Sequence, residues 1–350
     1  MNYRGAVPVL PAHRRIVTVA VSALLLVVLI LVGAVVRVPY VALGPGPTVN
    51  TLADVGGREV VEVEGAPEKK TTGHLNLTTV SVADRMTLFE AMAAWFSGRQ
   101  SLEPRETVFP PDKSDQQVEQ QNAQEMGGSQ DSATLAALSY LKKTVLTVDV
   151  DNGGPAKGAL RSGDQVTSVD GTEVASPEAL RDAVSDKKPG TPVRLDIVRD
   201  GQSSTATVTL GSRPGQTDKG YLGVTPRLRA AADAQKVTFN VGDIGGPSAG
   251  LMLSLAIVDK LVPQQLTGGK FIAGTGTIDE SRQVGSIGGI THKTLAAREA
   301  GAGWFLVPAG NCAEAKSDAP GGLELLKVSS LDDAITTLGD LTAGKPAPHC

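Results

Sequence analysis

The sequence is short of several things. Aromatic residues make up 3% of its 350 residues, there are two cysteines, and the 33 Lys and Arg are outnumbered by 37 Asp and Glu. That balance excludes a sequence-wide nucleic-acid binder, which carries a basic stripe. Cys312 and Cys350, with the scattered His13, His74, His292 and His349, lack the spacing of a zinc site, so neither a metal nor another cofactor is expected. The two cysteines are candidates for one disulfide tying the C-terminal tail to a loop. No G-x-x-x-x-G-K-[ST] occurs; Lys270 has neither the following Ser or Thr nor the preceding loop, so ATP use is not expected. The most informative absence is local. Ile16 to Val36 runs for 21 residues without Asp, Glu, Lys or Arg.

As a helix that run reaches roughly 31 Å at about 1.5 Å per residue, one bilayer core. Arg4, His13, Arg14 and Arg15 precede it and Arg37 follows. Positive charge stays in the cytoplasm, so residues 1–15 are expected inside and the rest outside. A cleaved signal peptide has a shorter apolar region, and no A-x-A cleavage site is evident, so a retained single-pass anchor over 16–36 is expected. Gly44 to Pro47 reads as a Gly/Pro linker.

What is abundant is glycine, 40 residues, with 21 Pro and 41% hydrophobic residues, the composition of a folded, loop-rich protein. Alternation predicts strands over Arg58 to Glu64 and His74 to Val82. Thr87 to Ser97 predicts an amphipathic helix carrying Leu88, Met92, Trp95 and Phe96. Ser101 to Asp115, with Pro104, Pro110 and Pro111, reads as a loop. Asp115 to Gln130 is Gln-rich and reads as an exposed helix or a linker, and Ser132 to Leu141 as a firmer helix. Strands follow at Thr144 to Val150, Gln165 to Val169, Pro192 to Val198 and Ser204 to Leu210, with a helix from Ser176-Pro177. The order GPAKGALRSGDQVTSVDGTEV, helix, PVRLDIVRDG and a final strand resembles a bacterial PDZ domain over 144–210. That resemblance implies binding of an extended peptide as an added strand, with Thr144 to Val150 expected to take part.

Val237 to Val241 predicts a strand, then Gly242-Asp243-Ile244-Gly245-Gly246-Pro247-Ser248-Ala249-Gly250 leads into Leu251 to Leu261, apolar on nearly all faces and hence a buried helix. Ser248 thus sits where backbone N–H groups are unpaired and the helix dipole favours a developing oxyanion. A Ser at a helix start is commonly only a cap. A second Gly-rich loop, Gly285 to Gly289, leads into a helix with Lys293 in its first turn and Gly301 at its end. An ammonium is disfavoured there, and burial would lower its pKa toward that of a general base.

GPSAG with its buried helix, TGT at Thr275 to Thr277, and VGSIGGITHKTLAAREAG together resemble the proteolytic domain of the Lon protease family. The resemblance implies a Ser–Lys dyad, Ser248 and Lys293, with Thr275 supporting it by hydrogen bonding and an N–H such as that of Gly246 holding the oxyanion. It departs at Gly245, where the family has an acid three residues before the serine; Asp243 is the nearest substitute. GGREVVEVEGAPEKKTTGHLNLTTVSV resembles the opening strands of the same domain. The expected organisation is α+β: a cytoplasmic tail (1–15), a transmembrane helix (16–36), an N-terminal part of the Lon-like domain (44–103), a linker or helix (104–143), the PDZ-like block (144–210) inserted before the rest of the Lon-like domain (211–341), and a tail (342–350). It resembles the membrane-anchored, PDZ-containing Lon-like peptidases of bacteria. Protein or peptide substrates are expected and no nucleic acid; a homo-oligomer is expected by resemblance alone.

Two other readings compete. Gly246-Pro-Ser248-Ala-Gly250 fits the G-x-S-x-G hydrolase elbow, but Gly242 to Gly245 separates it from the strand, and 102 residues remain after Ser248. A trypsin-like triad would precede the PDZ block, where His74 is the only histidine outside the N-terminal tail. A non-catalytic, membrane-tethered PDZ scaffold with a degenerate Lon-like domain is the remaining alternative.

Overall fold

The computed structural model describes residues 12–67, 72–213 and 215–350. Arg4 and most of the expected cytoplasmic tail lie outside the described residues. The fold is mixed α and β, and the chain divides into two compact units: one of residues up to 47 with 79–118, the other of 48–78 with 119–350.

The first unit opens with a helix over Ala12–Val35, whose Ile16–Val35 stretch is apolar and exposed, as a membrane-crossing segment would be. The Gly/Pro stretch after it is not a linker. Gly44 to Pro47 lies within a strand, Tyr40–Asn50. Pro45 and Pro47 alternate along that strand and cannot donate, but their carbonyls accept from Ser81 Oγ at 3.1 Å and Thr79 Oγ1 at 2.7 Å. Nor is Ser101 to Asp115 wholly a loop. Ser101–Pro104 forms a strand antiparallel to the start of Tyr40–Asn50, and a short helix follows over Arg105–Val108. Pro104 is tolerated at the strand's last residue. Arg105 then holds both Asp84 and Asp115, at 2.8 Å each.

The helix Leu88–Phe96 begins with a capping box, in which Thr87 and Glu90 satisfy each other's backbone N–H. Its packing inverts the expectation. The buried positions are Ala91 and Ala94, set against Ala42, Met86 and Leu102, while Leu88, Met92, Trp95 and Phe96 are exposed.

In the second unit, parallel strands come from both sides of the 144–210 block. The start of His74–Ala83 pairs with Phe271–Gly274, which pairs with Trp304–Pro308, which pairs with Glu324–Val328. Val61–Val63 pairs antiparallel with Val237–Phe239, again across that block. One apolar core joins Val61, Leu75 and Leu77 to Leu251, Leu253 and Ile272. Asp115–Tyr140 is one continuous helix, exposed over most of its Gln-rich first half as one alternative expected, and it puts Met126, Ala133, Ala136 and Ala137 into that core. Their spacing of seven, three and one keeps them near one stripe.

Residues 144–230 form a second core around the helix Pro177–Ser185. Ser176 Oγ accepts from Ala179 N–H at 3.1 Å and caps that helix. The sheet runs Gln202–Thr209, Pro192–Arg199, Gln165–Val169, Thr144–Val150, Val224–Ala230. Asp164, 2% exposed, is held by the Arg199 fork at 2.6 and 2.7 Å and by Arg161 N–H at 2.8 Å. The Arg199 hydrogen bonds keep its carboxyl below the usual carboxylate range.

Cys312 and Cys350 are disulfide-bonded, with Cα atoms 5.1 Å apart. The disulfide and backbone hydrogen bonds tie the tail down. Cys350 N–H donates to Leu325 O, Lys327 N–H donates to Pro348 O, and His349 contacts Glu324 at 3.2 Å.

Candidate active site

The serine loop is built from two directions. Val237–Phe239 delivers the chain to Gly242, and the helix Gly250–Leu261 starts two residues after Ser248. Residues Leu251 to Val258 of that helix are buried throughout, so its first turn cannot slide. Gly246 has φ +88°, a left-handed conformation that glycine adopts without strain. The Ser248 carbonyl is fixed twice, by Gly276 N–H at 3.0 Å and by Thr275 Oγ1 at 3.1 Å.

Lys293 arrives from the helix Ile290–Glu299. Its Nζ lies 2.7 Å from Ser248 Oγ and 3.1 Å from Thr275 Oγ1. The lysine is 4% exposed and Thr275 1%. Burial pulls the Lys293 pKa down from 10.5 to about 8, and no carboxylate contributes in the opposite direction. The three residues Ser248, Lys293 and Thr275, scattered over 46 positions of sequence, therefore meet at hydrogen-bond distance. An amine of this kind can take a proton from a hydroxyl near neutral pH.

The other expected residues are placed differently. Asp243 is exposed on the loop and is not among the causes acting on Lys293. The Gly246 N–H is already engaged: it donates to Asn122 O at 2.9 Å, so in this conformation it does not face an oxyanion. Asn122 also explains why glycine stands at 245. A Cβ there would come within 2.9 Å of Asn122 Cβ, so an acid at that position would push the helix Asp115–Tyr140 away. The same helix donates Ser129 Oγ to Pro247 O at 3.1 Å. Asn122 and Ser129 were missed by sequence reasoning, because polar residues on a Gln-rich helix carry no local sign of their distant partners. Between this helix and the loop lies a cavity of about 680 Å³, lined by Asn122, Met126, Asp243 and Gly245 among others.

A second groove belongs to the 144–230 block. The Thr144–Val150 strand, expected to receive peptide, is interior: it pairs with Gln165–Val169 on one side and Val224–Ala230 on the other. The free edge beside the helix Pro177–Ser185 is Val224–Ala230. A groove of about 240 Å³ runs there, lined by Leu180, Arg181, Val184, Tyr221, Leu222 and Val224 among others. Sequence reasoning ended the block at 210 and so missed this edge. The signal was available in Leu222, Val224 and Leu228, a period-two apolar pattern after a glycine turn.

Two segments of the chain match known families. Residues 124–210 match the PDZ domain family, and residues 241–338 match the Lon protease (S16) C-terminal proteolytic domain. A probable periplasmic serine endoprotease DegP-like of Chlamydia trachomatis is 35% identical over 130 residues, 33% of this chain and 26% of that protein. The periplasmic pH-dependent serine endoprotease DegQ of Escherichia coli is 28% identical over 103 residues, 29% of this chain and 22% of that protein. The chain thus spans about a quarter of the length of these curated relatives. Among solved structures, the PDZ domain of the SdrC-like protein from Listeria monocytogenes is 25% identical, with a TM-score of 0.22, covering 24% of this chain and 87% of that one. Residues 124–210 thus resemble a PDZ domain, and the relatives that share them are serine endoproteases. Residues 241–338 resemble the Lon C-terminal proteolytic domain, and the N-terminal apolar helix is a candidate membrane anchor or signal sequence.

Proposed function

We propose that this chain is an ATP-independent serine endopeptidase that cleaves peptide bonds of proteins with a Ser248–Lys293 dyad. The observation that carries the reading is the 2.7 Å approach of a buried lysine, with a pKa brought to about 8, to a serine at a helix start. Neutral Lys293 accepts the Ser248 Oγ proton as that oxygen attacks the scissile carbonyl. Thr275 orients the amine through its hydroxyl and pins the serine loop through Ser248 O. Backbone N–H groups at Ser248 and the turn entering Gly250–Leu261 stabilise the oxyanion. Lys293 then returns the proton to the leaving amine, and water resolves the acyl-enzyme. Incubating the full chain with an unfolded protein and sequencing the new N-termini tests the reading. Cleavage equal in wild type, Ser248→Ala and Lys293→Met would sink it, and absent cleavage with retained peptide binding would favour a scaffold.

The basic residues before the apolar helix favour an orientation with the N-terminus in the cytoplasm and the proteolytic domain outside. The proteolytic domain is discontinuous, taking its opening strands from before the PDZ block, because one core joins Val61, Leu75 and Leu77 to Leu251 and Ile272. A fragment of residues 214–350 is expected to lack a cooperative thermal transition, since it loses the strands and helix that complete its core. A sharp calorimetric transition with substrate cleavage by the fragment would refute the arrangement.

The PDZ block recruits or gates substrate, with the peptide lying along the Val224–Ala230 edge. The groove helix touches the proteolytic domain where Ser281 Oγ donates to Glu178 Oε1 at 3.0 Å. Ser281 lies six residues after Thr275, which makes this contact a route from groove to dyad. A peptide with a free carboxylate should slow hydrogen exchange at 221–230. Protection centred instead on 202–209, the opposite edge, would contradict the assignment.

A further inference from the structure

The helix Leu88–Phe96 is built the wrong way round for water. Its small residues, Ala91 and Ala94, face the protein, and its large apolar ones face out. Trp95 is 70% exposed and Phe96 77%, with Leu88, Phe89 and Met92 exposed beside them. A surface helix normally buries its large side chains, so a contiguous exposed patch of this kind marks an interaction surface.

Its position says what covers it. Phe89 lies against Gly33, near the end of the Ala12–Val35 helix, so closely that a Cβ at Gly33 would stand 2.7 Å from Phe89 Cζ. The chain leaving the apolar helix is tied to the residues entering the short one: Val38 N–H donates to Met86 O at 2.9 Å, and Arg37 bridges Thr87. The exposed face therefore continues the apolar surface of a membrane-length helix at the point where that helix ends. Tryptophan and phenylalanine are the side chains that settle at a bilayer interface, where the ring is buried among acyl chains near the headgroups. The helix's lone acid, Glu90, is turned to its own capping box, which keeps a carboxylate off the patch.

We propose that Leu88–Phe96 is an interfacial helix that inserts Trp95 and Phe96 into the lipid bilayer beside the anchor. This rests on Ile16–Val36 spanning the membrane, and it is separate from the catalytic reading. Fixing the unit at a second point would set how it sits on the membrane surface, which a single helix free to rotate would not do.

Trp95 and Trp304 are the two tryptophans, which makes the test direct. The full chain is reconstituted into phosphatidylcholine–phosphatidylglycerol vesicles, with and without acyl-chain bromination. Wild type and Trp95→Phe are compared; the substitution is exposed and leaves Trp304 in place. Wild-type emission is expected to fall on bromination while Trp95→Phe emission stays unchanged. Equal response in the two would overturn the proposal. So would a blue-shifted Trp95 insensitive to bromine, which would mean a protein covers the patch, whether a second copy or another chain. A chain that fails to float with the vesicles would refute the anchor itself, and the proposal with it.

Discussion

Ser248→Ala is expected to lower turnover of an unfolded protein substrate by roughly 10⁵-fold or more, the scale seen when a serine protease loses its nucleophile. Lys293→Met is expected to match it, and the double variant to be no worse, because the two act as one unit. Met is the informative replacement, since it keeps the volume of a side chain that is 4% exposed. A lysine whose pKa drops from 10.5 to about 8 is held in an environment that disfavours its charge, a cost on the order of 3 kcal/mol at neutral pH. Removing the amine should therefore leave the protein at least as stable while its activity disappears. Thermal melts alongside initial rates separate the two effects. An inactive Lys293→Met that also melts much lower would show a structural role and defeat the assignment.

The pH profile carries the second large effect. Only the neutral amine can accept the serine proton, so kcat/KM should rise about tenfold per pH unit below the Lys293 pKa and level off above it. With that pKa at about 8, the rate should climb roughly fiftyfold between pH 6 and 8. Stability follows the same sign. The folded state releases the lysine proton before the unfolded chain does. The unfolded chain binds more protons between about 8 and 10.5, so stability rises with pH across that window and not below it. A rate profile flat from pH 6 to 9 would show that another group, or none, supplies the base.

Gly245 illustrates how loop and helix constrain one another. With no acid at this position, no ion pair raises the lysine pKa, and burial acts alone. The space an acid would need is filled by Asn122. The same approach occupies the Gly246 N–H, so the oxyanion donors fall to the amides nearer the helix.

Much was legible in the sequence because it depends on neighbours along the chain. A charge-free run of 21 residues and two glycine loops, each leading into a helix, are local patterns whose physics is local. They placed Ser248 and Lys293 at the starts of helices, and the resemblance to the Lon proteolytic domain paired the two and added Thr275. The tertiary structure decided whatever depends on distant partners. It turned Gly44 to Pro47 into a strand, because side-chain hydroxyls from another strand satisfy the proline carbonyls. It made Asp115–Tyr140 one helix, because small residues on a polar helix pack only when a core is waiting for them. It moved the groove's free edge from Thr144–Val150 to Val224–Ala230, because which strand ends a sheet is set by pairing across 80 residues of sequence. And it turned Trp95 and Phe96 outward, because the face of that helix packed on Ala42, Met86 and Leu102 is the one carrying Ala91 and Ala94.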